Sequence, residues 1–124
     1  MWVFRIDEPN NGSYVQVSDP IPAADEALIR IRAVAICGTD LEIFQGTMFY
    51  YTSGLAHYPI IPGHEWSGEV LAVGSAVSNV CAGDRVVGEC TVACGSCDYC
   101  RQGWYNQCPH RRETGIIEPE RRFR

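Results

Sequence analysis

Residues 94–108 read Cys94-Gly95-Ser96-Cys97-Asp98-Tyr99-Cys100-Arg101-Gln102-Gly103-Trp104-Tyr105-Asn106-Gln107-Cys108. Cys94, Cys97, Cys100 and Cys108 form a closed four-thiolate set. Gaps this short bring the sulfurs within about 2.3 Å of one ion, and Zn²⁺ accepts four thiolates tetrahedrally with no position left open. Such a metal is structural rather than catalytic. An iron–sulfur cluster takes the same donors at similar gaps, and reduced, unligated cysteines in a loop are the third reading. Zinc is the expectation. The stretch from Cys90 to Pro109 is punctuated throughout by Gly, Cys and Pro, which leaves it little core of its own. Metal binding there is folding free energy, of order 10 kcal/mol in small zinc peptides. Cys81 and Cys90 fall outside the pattern and read as small packed residues.

The rest of the composition frames this lobe. With 124 residues, 46% of them hydrophobic, the chain suits one compact domain with an ordinary core. Seven cysteines, an odd number, argue against a disulfide framework. The opening Met1-Trp2-Val3-Phe4-Arg5-Ile6-Asp7-Glu8 turns acidic too soon for a secretory signal, so a cytoplasmic location is expected. No apolar run reaches the roughly 20 residues that span a bilayer. Fifteen acidic residues against ten basic ones, all Arg, exclude a nucleic-acid-binding face.

Upstream of the cysteines the pattern is β. Trp2–Ile6 and Tyr14–Val17 read as short strands around a turn at Pro9-Asn10-Asn11-Gly12. In 28–36, Ile29, Ile31, Ala33 and Ala35 alternate with Arg30 and Arg32, the period of a half-buried strand. Thr39-Asp40-Leu41-Glu42 has the form of a capping box with Thr39 at the N-cap, which predicts a short helix stopped near Gly46. Residues 47–62 read as a loop, and strands resume at Trp66–Val73 and Arg85–Gly88. The pattern alone gives a mostly β fold, a partly open barrel with short helices and a metal-stapled loop lobe.

A second group of donors lies before that lobe. Cys37 ends the best strand, and His64-Glu65 follow Pro59-Ile60-Ile61-Pro62-Gly63. One thiolate, one imidazole and one adjacent carboxylate make an incomplete zinc set with room for water or substrate.

Ile36-Cys37-Gly38-Thr39-Asp40, Pro62-Gly63-His64-Glu65-Trp66-Ser67-Gly68-Glu69-Val70, Val73-Gly74, Gly83-Asp84-Arg85-Val86 and the four-cysteine lobe occur in this order. The series resembles the N-terminal, GroES-like catalytic domain of the zinc-dependent alcohol dehydrogenases, of the medium-chain dehydrogenase/reductase family, on its polyol and threonine dehydrogenase side. The resemblance runs over residues 1–117. It implies that Cys37 and His64 bind a catalytic zinc, with Glu65 beside or on the metal. It also implies that Thr39 passes the alcohol proton towards solvent. A small alcohol or polyol is the implied substrate, and NAD(P) the implied hydride acceptor. In the family that cofactor sits on a Rossmann domain, whose Gly-x-Gly-x-x-Gly turn this sequence lacks.

Residues 118–124, Glu118-Pro119-Glu120-Arg121-Arg122-Phe123-Arg124, depart from the family text as an Arg-rich tail. Read one base out of frame, one allowed coding of them gives a family-like strand, so a frameshift is one expected origin. The resulting expectation is a truncated catalytic domain, inactive alone, that forms homo-oligomers or is completed by a separate Rossmann-domain chain. The alternative is a stand-alone zinc-binding structural or interaction module without catalysis.

Overall fold

The computed structural model describes residues 1–117; the tail at 118–124 lies outside the described residues. β1 (Trp2–Glu8) and β2 (Asn11–Gln16) form an antiparallel hairpin. Its turn is made by Pro9 and Asn10, and Asn10 takes a φ of 61°, the left-handed region that asparagine tolerates better than most residues. Then follow β3 (Ala27–Ala35), α1 (Gly38–Gln45), α2 (Phe49–Thr52), β4 (Glu65–Val73) and β5 (Arg85–Val87). The chain ends in β6 (Thr91–Val92), α3 (Asp98–Arg101), a 3-10 turn at Tyr105–Gln107 and β7 (Arg112–Glu113). The strands make three antiparallel sheets, β1-β2, β3-β4-β5 and β6-β7. The fold is thus mostly β with short helices and open sheets.

Four isoleucines from distant segments form the core: Ile6, Ile43, Ile60 and Ile116. The hairpin is tied to the loop before β4 by reciprocal backbone bonds between Ile6 and Ile60, both 2.9 Å. Ile43 brings α1 onto this cluster, and Ile116 brings in the turn that follows β7. Phe44, Tyr51 and Tyr58 fill the margins. The core therefore lies under the end of β3, the start of α1 and the approach to β4, the segments that carry Cys37 and His64.

Three local expectations are corrected. Helix α1 is capped by Cys37, not Thr39: the Cys37 sulfur accepts from the Thr39 N–H at 3.3 Å, and Asp40 Oδ2 accepts from the Cys37 N–H at 2.9 Å. β3 delivers an extended Cys37 (φ −112°, ψ −177°) directly to the helix, so the reciprocal box forms between Cys37 and Asp40 and Thr39 becomes helical. The helix stops at Gly46 as expected, in a left-handed cap with φ 76°. A methyl at Gly46 would sit 2.6 Å from Pro9 Cγ.

The second correction concerns β3. It is not evenly half-buried: Arg30 through Ala35 are all exposed, with Ile31 at 50% and Val34 at 57%. Register shifts at Leu28/Ile29 and Ile31/Ala33 interrupt the pairing with β4 and swap the faces of later side chains. Six exposed residues in a row, however, mean that no described segment covers either face of this half of the strand. Third, the expected loop at 47–62 contains α2, a single turn of Phe49-Tyr50-Tyr51-Thr52. Among the described residues no helix is long and apolar enough to cross a membrane.

Candidate metal centres

The four-cysteine lobe is built almost entirely from turns. Cys97 caps α3, whose last residue Arg101 donates its N–H back to the Cys97 carbonyl at 3.0 Å. The 3-10 turn delivers Cys108, whose N–H bonds the Tyr105 carbonyl at 3.1 Å. The four sulfurs all lie within 4.8 Å of one another. Cys97 to Cys100 is 3.4 Å, Cys97 to Cys108 3.8 Å and Cys94 to Cys100 3.9 Å. Four sulfurs at about 2.3 Å from a tetrahedral centre lie about 3.8 Å apart, so these residues fit a zinc ion.

Their proton affinities are pulled in opposite directions. The Ser96 backbone N–H and hydroxyl, then the Cys97 N–H, lower Cys94 to about 5. Loss of hydration, then the neighbouring sulfur of Cys97, raises Cys100 to about 12. Crowded thiols thus share few negative charges until a cation replaces their protons, which makes metal affinity fall with acid.

The second group is Cys37, Asp40 and His64, whose ligand atoms also lie within 4.8 Å of one another. Cys37 Sγ is 2.9 Å from His64 Nε2, and Asp40 Oδ1 is 3.5 Å from His64 Nδ1. The His64 and Asp40 side chains are 9% and 11% exposed. Both His64 Nδ1 and Asp40 Oδ1 are buried without a hydrogen-bond partner. The Asp40 carboxylate thus stands behind the imidazole without bonding it, while Nε2 faces the Cys37 sulfur. A carboxylate behind the ring is the outer partner that metal-ligating histidines use once the metal draws the group together. Zinc shared by Cys37 and His64 would widen their 2.9 Å contact to about 3.6 Å. The donor chemistry fits the ion.

Of the other expected residues, Thr39 lies in the first turn of α1, with its N–H on the Cys37 sulfur. Glu65 opens β4, is exposed and stands outside the Cys37–Asp40–His64 group. Asp40 is the carboxylate that faces the histidine, although the expected ligand set of Cys37, His64 and Glu65 does not include it. Its signal was there: an acid three residues after a strand-ending cysteine can reach back to that turn. His57 is exposed. Beside Asp40 opens an apolar groove of about 510 Å³ lined by Phe4, Val34, Ile36, Leu41 and Pro62.

Residues 23–118 match the family described as Alcohol dehydrogenase GroES-like domain. The chain belongs to that family. This GroES-like domain is 40% identical over 104 residues to the D-arabitol-phosphate dehydrogenase of Enterococcus avium, spanning 83% of this chain and 28% of the relative. It is 46% identical over 97 residues to the sorbitol dehydrogenase of Bacillus subtilis, spanning 73% and 26% of the two chains. The zinc dependent alcohol dehydrogenase 2 from Streptococcus pneumonia superposes with a TM-score of 0.77 at 36% identity, over 94% of this chain and 32% of that one. The domain thus spans about a quarter to a third of the relatives it matches.

Proposed function

We propose that the chain is the zinc-binding part of an alcohol or polyol dehydrogenase, with a structural zinc on Cys94, Cys97, Cys100 and Cys108 and a reaction centre at Cys37 and His64. The observation that carries this reading is the convergence of Cys37, Asp40 and His64 on one buried spot. When bound there, zinc would supply Lewis acidity towards an alcohol hydroxyl, and NAD(P) would supply the hydride acceptor. Cys37 contributes the anionic donor at the helix N-terminus, and His64 the neutral one. Asp40 fixes the tautomer and ring plane of His64. Thr39, in the same turn as Cys37, takes the proton towards solvent. Glu65, at the mouth of β4, stands ready as an exchangeable carboxylate. A module without catalysis needs only the four-cysteine lobe, so the second buried group favours the dehydrogenase reading.

The test is metal stoichiometry. The chain should hold about one zinc tightly after dialysis and take up a second only with zinc in excess. Cys37→Ser and His64→Ala should each abolish the second uptake and leave the first. Two equally tight zincs would mean that residues 1–124 complete the second site by themselves, whereas a second uptake indifferent to both substitutions would count against the reading. Residues 1–124 alone are not expected to reduce NAD at the expense of an alcohol; such activity would show that this stretch also binds the cofactor.

Asp40→Asn offers a sharper check, because it keeps the shape and removes the charge behind His64. Affinity for the second metal should fall about 10- to 100-fold, with the four-cysteine site unchanged. Competition titration against a chelator reads both. An unchanged second affinity would leave Asp40 as a helix cap only.

A further inference from the structure

We propose that Gly115 is a positioning residue for His64, through which the four-cysteine lobe holds the Cys37–His64 pocket in shape. The proposal rests on the reading of Cys37 and His64 as metal ligands. It begins at Cys108, whose carbonyl accepts the Arg111 N–H at 3.2 Å. β7 then pairs with β6, and the Thr114 N–H reaches back to the Cys90 carbonyl at 2.9 Å. Next the chain folds into a tight turn. The N–H groups of Ile116 and Ile117 both donate to the Glu113 carbonyl, at 2.9 and 2.8 Å, and Glu113 N–H donates to Ile117 at 3.0 Å. Ile116 anchors the turn in the core, 5% exposed, and the Tyr51 hydroxyl donates to its carbonyl at 3.1 Å.

At the apex Gly115 has φ 68° and lies against the backbone of Gly63. A methyl at position 115 would stand 2.6 Å from Gly63 N and 2.7 Å from Gly63 C, closer than real carbon contacts come. Gly63, at φ 120°, immediately precedes His64, and its other side faces Val34 of β3: a methyl there would meet Val34 Cγ2 at 3.2 Å. The peptide leading into His64 is therefore clamped between the turn and β3. Both partners at the 115–63 contact are main chain, so no side chain can swing aside. Pressure at Gly115 moves Gly63, and His64 with it. The His64 contacts to Cys37 at 2.9 Å and Asp40 at 3.5 Å tolerate little of that, since productive sites are held to about 0.5 Å. Cys90 marks the same junction: burial first, then the charges of Glu113 and Cys37, push its thiol up.

The experiment is ¹¹³Cd NMR of the full chain with cadmium in excess. The unsubstituted chain should show one all-sulfur resonance and one mixed sulfur–nitrogen resonance. Absence of the mixed signal would defeat the ligand reading itself, before Gly115 is tested. Gly115→Ala should keep the all-sulfur signal and lose or shift the mixed one, with affinity at the mixed site down about tenfold or more, the scale of lost outer support. Gly83→Ala is the control, because Gly83 also has a positive φ, 96°, but nothing within 4 Å of the added methyl. It should leave both signals in place; an equal loss there would make the effect general strain and overturn the proposal. So would an unchanged mixed site in Gly115→Ala. If Gly115→Ala loses both signals by unfolding, Tyr51→Phe decides. It frees the turn without adding an atom and should shift the mixed signal alone; no shift overturns the proposal.

Discussion

Replacing Cys108 with Ser is expected to strip the tightly held zinc and unfold the lobe it closes. Cys108 is fully buried, 3.8 Å from the Cys97 sulfur, and between Cys94 and Cys108 no other described residue is buried. The lobe consists of a four-residue helix, a three-residue 3-10 turn and bends, fastened by two-residue strands. Nothing apolar replaces the metal. Small zinc peptides draw on the order of 10 kcal/mol from the ion, and whole domains are stable by only about 5–15 kcal/mol. Losing one thiolate should therefore melt this region well below the rest. Zinc analysis after dialysis and amide exchange across residues 90–113 would read it. Full zinc retention with unchanged exchange would show that three thiolates suffice. Chelation of the unsubstituted chain should give the same exchange pattern, because the same interaction is removed.

Ile43→Ala should be the most damaging substitution away from the cysteines. Ile43 is fully buried and packs with Ile6, Ile60 and Ile116. Truncating a buried isoleucine to alanine costs about 2–5 kcal/mol, more where neighbours cannot collapse into the space. Here the neighbours come from a hairpin, a loop and a turn already fixed by backbone bonds, so the upper half of that range is expected. Urea denaturation measures it; a cost below about 1 kcal/mol would mean a core free to relax. The helix that carries Ile43 begins at Cys37 and Asp40, so metal affinity at the second pocket should fall with stability. Ile60→Ala, on the loop side of the same cluster, should cost a similar amount and act on His64 instead.

Much of this was legible in the sequence. Alternating apolar residues gave the strands, Gly46 gave the end of α1, and the cysteine spacing gave the lobe. The misses have physical causes. β3 was read with an unbroken period of two, but bulges are set by pairing with β4, which local pattern does not carry. α2 is a single aromatic-rich turn, with neither caps nor length to announce it. The helix start was misplaced because Thr39 and Glu42 match the usual capping chemistry, whereas a cysteine sulfur in that role follows only from where β3 ends. Asp40 was overlooked as the partner of His64 because the two lie 24 positions apart in the chain, a distance closed only by the core beneath them.

The cap at Cys37 has an evolutionary consequence. One sulfur accepts the Thr39 N–H and stands 2.9 Å from His64, so folding and chemistry press on the same atom. In a lineage released from catalysis these demands would separate. Selection would still ask position 37 to cap a helix, and drift there would be channelled towards Ser, Thr, Asp and Asn. Position 64 would keep only its burial and wander among apolar residues. Gly63 and Gly115, whose backbones touch, would stay fixed long after the reaction was lost. Retention of Cys37 and His64 together is therefore the pattern expected where capping and metal binding are both still required of this turn.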